Sequence, residues 1–251
     1  MKRFIINITP LLIPILLLSC SCGCGNGEQE IAFSDKNLES AVRIEIGKTT
    51  GDITKSDLEG ITSLGAQDLG ISKLDGLEYC ANLKILYLSN NQITDISPLS
   101  DLINLTSLSL SINRISDISP LSKLTNLNKL QLTGNPIIDI SPLSELNNLT
   151  ELYLIENDIT DISPLSNLSN LTVLDLTWNH ISDISSLSNL TSLNKLELCG
   201  NEISDITPLV NNSGLSEGDY VVLSGNPLST TSIEIHFRQL WERGVIVSID
   251  F

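Results

Sequence analysis

The chain has 251 residues, 14 of them Lys or Arg and 30 Asp or Glu, for a formal net charge of −16. That balance excludes the clustered basic surface that phosphate contacts on nucleic acid require. Hydrophobic residues at 41% are enough for a packed core, aromatics at 4% make that core aliphatic, and two histidines leave little for metal or acid–base catalysis.

Residues 1–19 read as a secretory signal: Lys2 and Arg3 precede an apolar run from Phe4 to Leu18. The run contains Pro10 and Pro14 and is shorter than the ~20 residues of a membrane-spanning helix. Leu17-Leu18-Ser19-Cys20 resembles the lipobox of bacterial lipoproteins, which implies cleavage before Cys20 and lipidation of its thiol. Residues 20–30 then form a small, Gly-rich tether, in which Cys22 and Cys24 lie too close for a relaxed disulfide. A cap over 31–60 follows. Leu38, Ala41, Val42, Glu45 and Ile46 keep helical spacing after Ser34-Asp35, and Thr54 to Asp57 opens a second short helix.

From residue 61 to 228 the chain repeats, with a period of 22 that holds without a slip over six units from Leu83 to Gly214. The shared pattern is LxxLxLxxNxIxDIxPLxxLxN. Leucines two apart, such as Leu86 and Leu88, point to one side of a strand, and Ile93 and its equivalents join them. No single unit can enclose these side chains, so stacked units must bury them together. Asn recurs at the ninth place as Asn91, Asn113, Asn135, Asn157, Asn179 and Asn201, with Asn226 its counterpart in the last unit. A buried amide side chain offers both donors and acceptors, so this row is expected to form a ladder to the turning backbone.

In the second half of each unit, as in Asp95-Ile96-Ser97-Pro98-Leu99, Ser97 is positioned to cap a short helical turn that Pro98 begins. The row of Asp95, Asp117, Asp139, Asp161, Asp183 and Asp205 invites a calcium reading, but each is expected to bond with backbone amides of its own turn. No metal site or cofactor is assigned. Two departures stand out: Ser186 replaces the proline, and Asn212 replaces a buried leucine. Residues 229–251 read as a C-terminal cap. There Thr231 and Glu234 suit a capping box, and Ile233, Phe237, Leu240 and Trp241 make an apolar stripe that would bury Trp241 and His236. Val245 to Phe251 reads as a closing strand.

The repeat resembles the 22-residue leucine-rich repeat of internalin-like bacterial surface proteins over about residues 31–251. That resemblance implies an α/β repeat solenoid, right-handed, with a parallel β-sheet on the concave side and 3₁₀ turns on the convex side.

No catalytic constellation survives the repeat: GxSxG, HExxH, CxxC and phosphate-binding loops are all missing, and an enzyme is not expected. Cys80 takes a place that is usually leucine, and Cys199 lies several coils away, too far for a bridge. What varies is the outward face of each strand, at the third, fifth and seventh places. Tyr87, Lys129, Gln131, Glu151, Tyr153, Ile155, Asp175 and Glu197 lie there, and Trp178 lies beside them at the eighth place. Concentrating scarce aromatics on an exposed sheet suits an interface, and the acidic C-terminal half suits a basic partner patch. The expected function is therefore a lipid-anchored, extracytoplasmic module, monomeric, that binds a protein or glycan through its concave face. The rival reading is an envelope scaffold or spacer without one specific ligand.

Overall fold

The computed structural model describes residues 30–249; the signal segment, Cys20, residues 21–29, Asp250 and Phe251 lie outside the described residues. The central feature is one parallel sheet of nine strands arranged in chain order. The strands are β1 (Ser63–Gly65), β2 (Ile85–Tyr87), β3 (Ser107–Ser109), β4 (Lys129–Gln131), β5 (Glu151–Tyr153), β6 (Val173–Asp175), β7 (Lys195–Glu197), β8 (Tyr220–Val222) and β9 (Ile246–Ser248). Register follows the repeat: Leu86 faces Leu108, Leu108 faces Leu130, and so on to Leu196. After β7 the pairing of Leu196 with Val221 absorbs three extra residues, the longer opening of the last unit.

The buried column explains the leucines. In the coil from Leu83 to Asn104, Leu83, Leu86, Leu88, Ile93, Ile96, Leu99 and Leu102 are all at most 1% exposed. Each such side chain contributes roughly 1.5–3 kcal/mol by leaving water. Cys80 behaves as one more small hydrophobe in this column, fully buried, with its thiol pushed up to about 12 by burial and then by the Glu78 charge.

The asparagines connect coil to coil. Asn135 Nδ2 donates to the Leu132 carbonyl of its own coil and to the Leu110 carbonyl of the preceding one, both at 3.1 Å. Its Oδ1 accepts the Ile115 amide at 3.0 Å. Asn91, Asn113, Asn157, Asn179, Asn201 and Asn226 repeat this pattern. Each carbonyl inside the ladder thus accepts from two asparagines, its own and the next coil's.

On the convex side, 3₁₀ turns such as Ser97–Leu99, Ser141–Leu143 and Ser163–Leu165 carry Pro at their start. Their cap differs from the sequence expectation. Ser97 is the first residue of the turn, and it is Asp95 Oδ1 that accepts the Ser97 amide at 2.8 Å. The same bond recurs from Asp117, Asp139, Asp161, Asp183 and Asp205, so each carboxylate is engaged within its own turn. These amide bonds hold the Asp117 and Asp161 carboxyls below their ordinary range; at Asp205 the Thr207 hydroxyl leads and its amide adds to the effect. In the last regular unit the turn becomes a short α-helix, α3 (Thr207–Asn211).

Both ends of the column are covered. At the N-terminus, α1 (Lys36–Glu45) buries Leu38, Ala41 and Val42, and Asp35 caps it while also accepting the Ser72 amide of the first coil. The next helix, α2 (Lys55–Glu59), is held by Asp57, which accepts the Thr54 amide at 2.8 Å and pairs with Lys48 at 2.7 Å. At the C-terminus, Asn212 is fully buried yet satisfied. It donates to the Leu187 and Leu190 carbonyls and accepts the Gly214 and Leu215 amides. Arg243 seals that corner by donating to the carbonyls of Val210, Asn212 and Leu215.

The closing helix departs from its sequence reading. It opens as a π-helical turn (Ser232–His236) before α4 (Phe237–Glu242). No capping box forms at Thr231; the Ser229 hydroxyl accepts the Ser232 amide instead. The wider turn rotates the apolar stripe off the core, so Leu240 is buried while Trp241 is 67% exposed. His236 is partly covered and lies 3.7 Å from Asp205.

Candidate functional site

The exposed face of the sheet follows from strand alternation: in β2, β4, β5 and β6 only the middle residue is buried, and its neighbours point outward. Adjacent strands therefore place their third-place and fifth-place residues in two rows across this concave face.

At the N-terminal half the face is polar and largely uncharged. Tyr87, Ser89, Ser109 and Gln131 border a shallow hollow of about 500 Å³ together with Gln67 and Asp68. Ser89 and Ser109 hydrogen-bond across it at 2.7 Å.

At the middle of the sheet, on β4 and β5, three of the residues singled out from the sequence form one constellation. Lys129 Nζ pairs with Glu151 Oε2 at 2.7 Å and stands 5.3 Å above the Tyr153 ring centre. Tyr153 donates its hydroxyl to the same carboxylate at 3.1 Å. The hydrogen bond to Glu151 holds the Lys129 ammonium above its ordinary range, and the same bond holds Glu151 below its own. Partial burial, and then the Glu151 hydrogen bond, raise the Tyr153 phenol. On the next strands Asp175 accepts the Thr177 amide at 3.1 Å, and Glu197 pairs with Lys195 at 3.3 Å. Ile155, two residues past β5, is half-buried. Tyr87 is three strands from Tyr153, so the two tyrosines define separate parts of the face.

Trp178 lies just past the strand, on the rim, and its backbone is the unusual feature. The eighth place of every coil is left-handed: Asp68, Asn90, Ile112, Gly134, Glu156, Trp178, Gly200 and Gly225 all have φ between 53° and 71°. Gly and Asn adopt this readily, but a bulky or β-branched residue does so at a cost of roughly 1–3 kcal/mol. Trp178 is nonetheless 58% exposed. The five-membered part of its indole sits against Gly200, where a Cβ would come within 2.2 Å of the ring. Ile112, at the same place three coils earlier and 56% exposed, was not singled out from the sequence. Only aligning it with Asn90, Gly134 and Gly200 reveals the backbone it occupies.

Beyond Trp178, His180 lies between Asp158 (3.9 Å) and Glu202 (3.3 Å) of the flanking coils. Among the described residues no cluster of three or more His, Cys, Asp or Glu is placed to hold a metal ion.

The model of tandem leucine-rich repeats matches residues 60–101, 103–145, 147–179 and 169–211, and the chain belongs to the leucine-rich repeat family. Its repeat is of the internalin type. The crystal structure of an internalin C2 from Listeria monocytogenes is 36% identical and superposes with a TM-score of 0.77, covering 87% of this chain and 94% of that one. Internalin H of the same species is 41% identical over 66 residues, which is 26% of this chain and only 12% of that protein's length. More distantly, the plant peptide hormone receptor RGFR1 in complex with RGF2 is 26% identical with a TM-score of 0.57, covering 69% of this chain and 30% of that one.

Proposed function

We propose that the chain is an extracytoplasmic, lipid-anchored recognition module that binds a protein partner through the concave face of its sheet. The observation that carries this reading is the contrast between the two sides of the strands. The inward positions are uniformly aliphatic and buried, while the outward ones differ from coil to coil and include Tyr87, Tyr153 and the exposed Trp178. Aromatics of this kind are favoured anchors in interfaces. The receptor–peptide complex among the structural neighbours favours a protein ligand over a glycan. Anchoring rests on Leu17-Leu18-Ser19-Cys20.

Capture from envelope and extracellular extracts tests the face, with a Tyr87→Ala, Tyr153→Ala, Trp178→Asn variant run beside the natural chain. Asn is used at 178 because it tolerates the left-handed backbone that Asn90 already adopts. Partner bands lost with the variant, at a melting temperature within a few degrees, support the proposal. Identical bands from both proteins refute it and favour a scaffold. For the anchor, Cys20→Ser is expected to abolish incorporation of labelled palmitate and release the chain from the membrane fraction; retention of both would exclude lipidation at that thiol.

A further inference from the structure

The face contains its own template for recognising a cation. At Tyr153 an aromatic ring, the Glu151 carboxylate and the Lys129 ammonium complete one another within the chain. Trp178 presents an exposed ring with carboxylates on the coils to either side. Its indole lies against Gly200, and the residue is 58% exposed. Glu156 occupies the same place one coil earlier, its backbone about 4.8 Å away along the stack, and Glu202, which meets His180 at 3.3 Å, stands two places further along the next coil. Among the described residues no cation lies over this ring, and the sheet's nearby ammonium groups are already committed, Lys129 to Glu151 and Lys195 to Glu197.

We propose that Trp178, flanked by Glu156 and Glu202, is the subsite for a lysine or arginine side chain of the protein partner, an inference that rests on the concave-face reading above. An indole face attracts a cation more strongly than a phenol does, and flanking carboxylates neutralise the charge as it loses water. Long-range attraction toward a chain of net charge −16 speeds the approach of a basic segment, while the rim subsite fixes its register. The left-handed backbone serves the same end: it carries the indole outward over Gly200, away from the buried column.

The test uses the full chain carrying Trp241→Phe, so that Trp178 is the sole indole, titrated with blocked tetra-arginine and blocked tetra-glutamate peptides. Tetra-arginine is expected to change the Trp178 emission saturably, with an affinity that falls as salt is raised, and tetra-glutamate to have no effect. Glu156→Gln with Glu202→Gln should weaken binding by about fivefold or more. Removal of two exposed charges beside the convex turns, Asp101→Asn with Glu145→Gln, should leave it unchanged. In calorimetry on the otherwise natural chain, Trp178→Asn should weaken tetra-arginine binding to the same degree while the melting temperature holds. No saturable response, or equal weakening by the convex pair, overturns the subsite and leaves only general attraction to an acidic protein. If tetra-arginine fails while the concave-face variant still loses its captured partner, the face reading stands and this inference alone falls.

Discussion

Asn135→Ala isolates the contribution of one ladder rung, because the hydrogen bonds show which groups would be left without partners. Asn135 is 4% exposed and sits in the middle of the array. Its removal takes one of the two amides bound to the Leu110 carbonyl and one of the two bound to the Leu132 carbonyl; Asn113 and Asn157 keep the other bond in each case. Those two losses are worth about 0.5–1.5 kcal/mol each. The Ile115 amide, by contrast, loses its side-chain acceptor inside the core, and an orphaned buried donor costs about 1–3 kcal/mol. The substitution should therefore destabilise the chain by about 2–6 kcal/mol, measured by urea unfolding followed by circular dichroism. Hydrogen exchange gives a local readout: protection of the Ile115 amide should collapse further than that of the Leu108 and Leu130 amides in the neighbouring strands. A loss below about 1 kcal/mol with Ile115 still protected would show that water replaces the asparagine, and the ladder would not be a determinant of coil stacking.

Ser186→Pro should stabilise the chain by about 0.4–1 kcal/mol in thermal unfolding, since Ser186 occupies the site taken by Pro in neighbouring 3₁₀ turns and its buried hydroxyl has no hydrogen-bond partner; a lower melting temperature would show that this turn differs from its neighbours. The Asp57 carboxyl is lowered from 3.8 to about 2, first by its hydrogen bond with Lys48 and then by the Thr54 amide. Its folded value lies below the unfolded one, so its contribution is complete above about pH 4 and disappears as pH falls from about 4 to 2. Asp57→Asn should accordingly cost about 1–2 kcal/mol at pH 7, allowing for solvent screening, and almost nothing at pH 2; a penalty that does not change with pH would contradict the assignment. Cys80, buried with its thiol near 12, should resist iodoacetamide at pH 8 in the native chain and react once unfolded, whereas half-buried Cys199 should react more readily in the native state. Mass mapping of the two peptides distinguishes these outcomes.

The solenoid was legible because its constraints recur. A leucine that must face a shared column, or an asparagine that must reach two carbonyls, appears at the same place in every coil, and the register of Leu86 on Leu108 can be read from spacing alone. The caps occur once: the N-terminal helices follow their spacing, but the C-terminal helix does not. Ile233, Phe237, Leu240 and Trp241 fit a 3.6-residue period, but the π-helical turn over Ser232–His236 changes that period locally and only Leu240 ends buried. The choice of Asp95 over Ser97 as the cap was also hidden. Both are short polar side chains near the turn, and only the non-helical backbone at Ile96 decides which one reaches the free amide.

The same logic bears on the candidate site. In a repeat whose inward places are dictated by packing, departures from the pattern call for an explanation, and the structure supplies two of them. Asn212 in a leucine's place meets four backbone groups, and Gly134 and Gly200 in the left-handed row relieve backbone strain. Ile112 and Trp178 have no such explanation. Each occupies the backbone conformation least suited to it and each is more than half exposed; Trp178 also lies over Gly200, where a Cβ would come within 2.2 Å of its ring. Packing would favour Asn or Gly at both places, so stability alone does not account for these residues. Contact with the partner proposed above would account for them, and the two lie three coils apart, about 14 Å along the rim. A partner engaging both must therefore run along the stack, parallel to the solenoid axis, crossing the strands rather than following one.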